Sequence, residues 1–270
     1  MSNAEKRRAR KESQDSGAAI LHLNRIKPAT NAIFNVLFVI LSFICIFPVF
    51  YVIMISVSSE ESIRLNGYAL WPETFSNSAY MFLWNERGTI FQALLVSIAV
   101  TVIGTVLGVL LTTSMGYVLS RPQYRLRGFF NWVVFIPMIF NGGMVANYVV
   151  MVNMLHLNDT IWSLILPLAV SSFNVIICKT FFRTTIPDSI IESAKIDGAT
   201  QLTIFGRIVI PISKPVFATI GLFLTFGYWN DWFQSSLYIN RSDLLSLQAL
   251  LNNMMKNLDY IANNPSAGLS

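Results

Sequence analysis

Residues 90–119 read IFQALLVSIAVTVIGTVLGVLLTTSMGYVL, a run without one Asp, Glu, Lys or Arg. About 20 apolar residues cross a bilayer as a helix. Hydrocarbon offers no water to backbone groups, so such a run must bond to itself and form a helix. Working outward, the same reading applies to residues 31–57, which also carry no charge, and to 129–152, interrupted by Asn141-Gly142-Gly143. It applies again to 161–181, with Lys179 near its end, and to 212–233, with Lys214 and Pro215 at its start and Asp231 near its end. A charge at mid-span costs about 2.5–3.5 kcal/mol, and every charge here sits near an end instead. The chain therefore reads as an all-α integral membrane protein with five transmembrane helices. Composition agrees: 54% of residues are hydrophobic and 12% charged, against about 25% charged in soluble domains, and mean hydropathy is +0.55.

The net charge of +5 gains its meaning from position. With the N-terminus inside, fifteen of the nineteen Lys and Arg fall on the inner side. They are Lys6, Arg7, Arg8, Arg10, Lys11, Arg25 and Lys27 in the tail, then Arg121, Arg125 and Arg127, then Lys179, Arg183, Lys195, Arg207 and Lys214. Only Arg64, Arg87, Arg241 and Lys256 remain outside. This asymmetry is the positive-inside signal, and it outweighs a nucleic-acid patch as the explanation of the charge. The expected organisation is a basic cytoplasmic tail over 1–30 and a transmembrane domain over 31–270. Outer segments cover 58–89 and 234–270, the latter with a short helix through 245–255. The first apolar run is too long, and its flank too polar, for a cleaved signal peptide. Cys45 and Cys178 both lie inside apolar runs and read as small buried apolar side chains rather than a disulfide.

Within 90–119, Gly104, Gly108, Thr112 and Gly116 recur every four residues and make one helix face of small side chains, where another helix can approach closely. Packing inside the chain is the favoured reading, a subunit interface the alternative. Enzyme signatures are missing. No G-x-x-x-x-G-K-[ST] phosphate loop occurs, so the chain is not expected to hydrolyse ATP. His22 and His156 are the only histidines, and no Cys/His grouping has metal-ligand spacing. The spans also lack the mid-membrane ionisable residues typical of ion-coupled carriers.

Residues 184–211, TTIPDSIIESAKIDGATQLTIFGRIVIP, stand apart. Pro187 can start a helix whose N-terminal half is favoured by Asp188 and Glu192. Gly198 can take φ > 0 past its end. A second helix starts near Thr200 and is bounded by Pro211. The resulting helix–turn–helix has an apolar side through Ile190, Ile191, Ala194 and Leu202. On physical grounds alone, a docking element and an amphipathic helix lying on headgroups stay equally open.

The run Glu192-Ser-Ala-Lys-Ile-Asp197-Gly198-Ala199, followed by Ile208-Val-Ile-Pro211, closely resembles the EAA loop of ABC importer permeases, E-A-A-x-x-D-G-A and then I-x-L-P. Ser193 and Ile210 are mild departures. Further stretches resemble the carbohydrate-importer permeases, akin to the smaller maltose-type subunit. These are Leu70-Trp71-Pro72, Gly116-Tyr117-Val118-Leu119-Ser120-Arg121, Phe135-Ile-Pro137, Gly142-Gly143, Phe181-Phe182-Arg183 with Ile186-Pro187, and Tyr228-Trp229-Asn230-Asp231-Trp232. The resemblance spans roughly residues 30 to 265.

That resemblance implies a permease subunit in a bacterial cytoplasmic membrane. It would work with a second, different permease, two ATPase subunits and an extracytoplasmic solute-binding protein, in contact with membrane lipid and with no nucleic acid. ATP and Mg²⁺ would be bound by the ATPases, leaving this chain no cofactor. Glu192, Ser193, Ala194, Asp197, Gly198, Ala199 and Pro211 would form the coupling loop. Glu192 would serve at the ATPase cleft, Gly198 would permit the turn, and the alanines would allow close docking. Asn141, Trp229, Asn230 and Asp231 are the candidates for the solute path, with an interfacial aromatic belt as the alternative for the tryptophans. A peptide or polyamine importer and a scaffold subunit without a transport path are the rival functions. Such permeases usually have six spans, so a sixth helix past Ser270 is expected.

Overall fold

A computed structural model describes residues 27–264. All of the regular elements among them are helical. Two compact units divide at Trp84 and Asn85. In the first, α1 (Pro28–Ser56) starts with proline in its first turn, where the missing N–H costs nothing. No residue of α1 is buried, as suits a helix solvated by lipid. After it, Ser59 caps α2 (Glu60–Asn66) by accepting from the Ser62 N–H. Gly67, at φ 73°, ends α2, and an antiparallel bridge pairs Ser58 with Phe75. The short α3 (Ser78–Asn85) follows.

The second unit is built around α4 (Arg87–Ser120). Around it run α5 (Arg127–Ile139), α6 (Gly143–Tyr148, continued by a π-helical turn Val149–Met154), α7 (Ile161–Ala169) and α8 (Ser172–Thr185). The short α9 (Asp188–Ile196) is followed by α10 (Gln201–Ile212), then α11 (Lys214–Trp229), α12 (Phe233–Tyr238) and α13 (Leu247–Asn263). The buried stripe of α4 passes through Ala93, Ser97, Val100, Gly104, Gly108, Thr112 and Gly116, and α7, α8, α11 and α13 pack on it.

The small residues of that stripe serve packing inside the chain. A Cβ on Gly104 would stand 2.5 Å from the Tyr228 ring. On Gly108 it would meet the Ala169 carbonyl oxygen at 2.7 Å, and on Gly116 the Cys178 Cβ at 2.4 Å. The Tyr228 hydroxyl, held against Gly104, donates to the Ile165 carbonyl at 2.8 Å. One tyrosine thus ties α4, α7 and α11 together, satisfying its own polar atom while burying its ring.

Membrane-crossing character is clear in two helices, α1 and α4, each long and apolar enough on its own. Two bent pairs have the same character when each is taken as one span: α7 with α8, bent by 48°, and α10 with α11, bent by 84°. The run expected over 129–152 is two shorter apolar helices broken at Asn141–Gly142, with Asn141 Oδ1 accepting from the Gly143 N–H. The last run begins at Lys214 rather than 212, because the chain turns at Ser213 and Pro215 fits the first turn of the new helix. Pro211 accordingly does not bound the second loop helix. It lies inside α10, just after a π-helical turn over Phe205–Val209, and has no N–H to give to a carbonyl of that turn. Cys178 is buried as expected, whereas Cys45 is exposed on α1. The tail expected over 1–30 falls outside the described residues up to residue 26, as does segment 234–270 beyond Asn264.

Candidate functional site

The loop 184–211 folds as a helix–turn–helix. Pro187, at φ −60° and ψ 142°, precedes α9, and Asp188 occupies its first turn, where a carboxylate meets the positive helix end. The helix stops in a Schellman turn: the Ala199 N–H donates to the Ala194 carbonyl and the Gly198 N–H to that of Lys195. Gly198 has φ 80° with open space around its Cα, so only backbone conformation demands glycine there. Thr200 then caps α10 by accepting from the Thr203 N–H.

One side of this element is fixed and the other free. Ile191 and Ala194 join the main core, and Ala199 packs against it. Glu192, Ser193, Asp197 and Gly198 are exposed. Ile190 and Leu202, expected on the apolar side, are exposed as well, Leu202 at 84% and its neighbour across the turn, Ile196, at 86%. A three-residue spacing puts Ile191 and Ala194 on one inward helix face, but past the reversal at Gly198 Leu202 stays exposed.

The anchor of the loop is Arg121, at the end of α4. Its Nη2 donates to the Phe182 carbonyl at 2.7 Å and its Nη1 to the Ile186 carbonyl at 3.3 Å. The same Nη1 reaches Asp188 Oδ1 at 3.0 Å, and Nε donates to Ser120 Oγ at 2.9 Å. The guanidinium lies 5.4 Å from the Tyr117 ring centre. One planar cation therefore satisfies carbonyls at the end of α8, pairs with the start of α9 and belongs to α4, a use of several directed donors that lysine could not reproduce. Two residues on, Gln123 accepts from Lys195 Nζ at 2.7 Å and donates to Glu192 Oε1 at 3.3 Å. Between α4, α9 and α10 lies a cavity of about 490 Å³, lined by Tyr117, Arg121, Gln123, Ile191, Lys195 and Phe205 among others.

In the sequence Arg121 stands out as a topology charge and as the end of a family-like stretch, with no joint role for Gln123 and Asp188. The signal lay in the Leu119-Ser120-Arg121 stretch, but its partners are sixty residues away. Pro211, taken with the loop, lies beyond this anchored part.

The solute-path candidates are not brought together. Asn141 caps α6. Trp229 ends α11, the Asn230 amide donates to the Phe226 carbonyl at 3.0 Å, and Asp231 Oδ2 accepts from the Gln234 N–H at 3.1 Å at the start of α12. The latter three form one turn, and no hydrogen bond joins it to Asn141. Beside that turn, Lys256 Nζ lies 5.3 Å from the Trp232 ring centre, a contact the sequence did not announce.

Comparison with known proteins assigns this architecture. Residues 104–267 match the family described as binding-protein-dependent transport system inner membrane component. Protein LplC of Bacillus subtilis (strain 168) is 39% identical over 221 residues, covering 82% of this chain and 74% of that protein. The polygalacturonan/rhamnogalacturonan transport system permease protein YtcP of the same organism is 43% identical over 208 residues, covering 77% and 72%. Among solved structures, a bacterial ABC transporter involved in the import of the acidic polysaccharide alginate aligns with a TM-score of 0.75 at 27% identity, over 85% of this chain and 82% of that one. The chain belongs to the binding-protein-dependent inner membrane components, the permease subunits of ABC importers.

Proposed function

We propose that this permease subunit moves oligosaccharide or polysaccharide fragments into a bacterial cell through the cytoplasmic membrane, driven by ATPase subunits that dock on loop 184–211. The N-terminus and that loop face the cytoplasm, as the asymmetry of Lys and Arg argues. The apolar runs make five spans, α5 with α6 and the two bent pairs each counting as one. A second permease completes the path, two ATPases bind ATP and Mg²⁺, and an extracytoplasmic binding protein delivers solute. The chain itself carries no cofactor.

The observation that carries the coupling role is the Arg121 joint. ATPase closure pushes on the exposed side of α9, where Glu192, Ser193 and Asp197 lie. Arg121 links the start of α9 to α4, the helix on which α7, α8 and α11 pack. A load on the loop is thus delivered to the centre of the bundle. The cavity behind α9 leaves room for that displacement. The helices then alternate between inward- and outward-open arrangements around a midplane path, to which Asn141 and the Trp229–Asp231 turn contribute polar and aromatic groups.

One solved neighbour is involved in the import of the acidic polysaccharide alginate and one relative is named for polygalacturonan/rhamnogalacturonan transport, so acidic oligosaccharides are the first class to try. Vesicles holding the complete complex should take up labelled oligogalacturonates with ATP inside, and excess unlabelled ligand should compete. Uptake of peptides or polyamines in preference to any saccharide would overturn the substrate class. A complex that copurifies with ATPases yet moves no solute would point to a scaffold.

A further inference from the structure

A second basic cluster lies beside the Arg121 joint, between α5 and α8. Arg127 and Asn131 stand one turn apart on α5, and Lys179 and Arg183 one turn apart on α8. Lys179 Nζ donates to Asn131 Oδ1 at 2.8 Å, which sets the two helices side by side and antiparallel. The charges that act on Lys179 are Arg127 and Arg183, both of its own sign. Among the described residues none of the three makes an ion pair.

From Lys179 a groove of about 310 Å³ runs away from the charged end. It is lined by Leu119, Trp132, Val134, Phe135, Val175 and Ile176, with Asn131 and Lys179 at its head. Both helices therefore grade in one direction, from guanidinium through ammonium and amide to indole, phenyl and branched aliphatic side chains. That gradient repeats the order of an anionic phospholipid, phosphate first and acyl chain after. Three like charges grouped without a carboxylate repel one another, and a phosphate placed among them removes that repulsion. A neutral headgroup would not. Basic pockets between transmembrane helices on the cytoplasmic side are where such headgroups are held, and the cluster shares its side with most of the chain's Lys and Arg.

We infer that the α5–α8 groove holds one anionic phospholipid, its phosphate at Lys179 with Arg127 and Arg183 one turn away on their helices, and an acyl chain along Trp132, Phe135 and Ile176. The lipid would brace the end of α8 that also carries the carbonyls Arg121 holds. The site does not depend on which sugar the importer carries.

The test uses the assembled complex in vesicles of phosphatidylcholine with a minor share of phosphatidylglycerol. The complex is extracted in detergent, washed, and analysed for retained lipid by native mass spectrometry. Wild type should keep phosphatidylglycerol in preference to phosphatidylcholine, one molecule per copy of this chain. Arg127→Gln and Arg183→Gln should each lower retention roughly fivefold, the equivalent of about 1 kcal/mol per cation at an anionic surface. Lys179→Gln, which keeps a donor for Asn131, should do the same, and Arg125→Gln should change nothing. Inorganic phosphate added during washing should not displace the lipid, because it lacks the chain. Equal retention of both lipids by wild type, or retention unaltered in the triple variant, would overturn the inference. So would loss of the second permease from the triple variant with lipid retention unchanged, because the cluster would then be a subunit contact. Sugar uptake in the same vesicles reports on the transport reading separately.

Discussion

The two ends of α4 are tied down by opposite means. At its C-terminal end one nearly buried guanidinium, Arg121, reaches α8 and α9, donating to the Ile186 carbonyl and sharing that of Phe182 with the Ile186 N–H. At its N-terminal end many small contacts share the load. Gln92 donates to the Asp243 carbonyl at 3.0 Å and the Leu247 N–H donates to Ser97 Oγ at 2.8 Å, while the segment they meet is itself held by Asp159, which accepts from the backbone of Asn240 and Arg241. Asp159, in a left-handed conformation at φ 53°, is half-buried, and the side chains of the Arg241–Asp243 pair are exposed. A single buried joint transmits a displacement whole, whereas a distributed, solvated set yields piece by piece. Under the proposed coupling, the loop end would convey motion and the other end tolerate it.

Replacing Arg121 should break this contrast with the largest effect. Arg121→Leu strands the Ile186 carbonyl, leaves that of Phe182 with the Ile186 N–H alone, and removes the partner of Asp188. Hydrogen bonds of charged groups contribute about 1.5–3 kcal/mol each, but the Asp188 side chain is 50% exposed, so a total loss of about 2–4 kcal/mol is expected. Thermal unfolding of the purified complex measures it. Arg121→Lys should recover little, and full recovery would mean that charge alone matters there.

Gly116→Ala comes next. The new methyl would collide with Cys178 Cβ, and the Lys179 backbone nitrogen would stand 3.1 Å away, with no flexible side chain to yield. Overpacking of this kind costs about 1–3 kcal/mol. Cys178→Gly in the same chain should restore part of it, and an absence of any interaction between the two substitutions would argue against the α4–α8 contact.

The smallest effect belongs to Asp159. Hydrogen bonds from the Asn240 backbone, then from Arg241, hold its carboxyl below the usual carboxylate range. A depressed folded pKa means that its stabilisation is fully present above pH of about 4, the unfolded value, and is lost as pH falls through the folded one. Amide exchange at Asn240 and Arg241 should therefore stay protected from neutral to mildly acidic pH and open only in stronger acid. Asp159→Asn should raise exchange at those amides while leaving Ala199 and Gly198 unchanged.

Much of this was legible in the sequence and some was not, for physical reasons. Uncharged runs announce helices because lipid permits nothing else, and the Gly104–Gly116 spacing announced close approach because small side chains on one face have few other uses. The Gly198 turn was legible from Asp-Gly followed by a capping threonine. Bends were harder: residues 161–181 read as continuous, yet the chain breaks at Val170–Ser171, after Pro167, by 48°. The Arg121 joint was invisible because its partners lie more than sixty residues away and two of them are backbone carbonyls, which carry no residue-type signal. Ile190 and Leu202 misled because an apolar pattern marks what leaves water, and the proposed docking on an ATPase would take an exposed tip out of water too.

The central claim is that loop 184–211 couples the bundle to ATP hydrolysis through α9 and Arg121. Gly198→Val tests it most directly, because φ 80° with nothing within 4 Å makes the change one of backbone strain, about 1–3 kcal/mol, distant from any solute contact. The deciding measurement is stimulation of ATPase activity by liganded binding protein in reconstituted vesicles. The account predicts that the Gly198→Val complex inserts and assembles but loses most of that stimulation, as does Glu192→Lys. Full stimulation in both variants would contradict it.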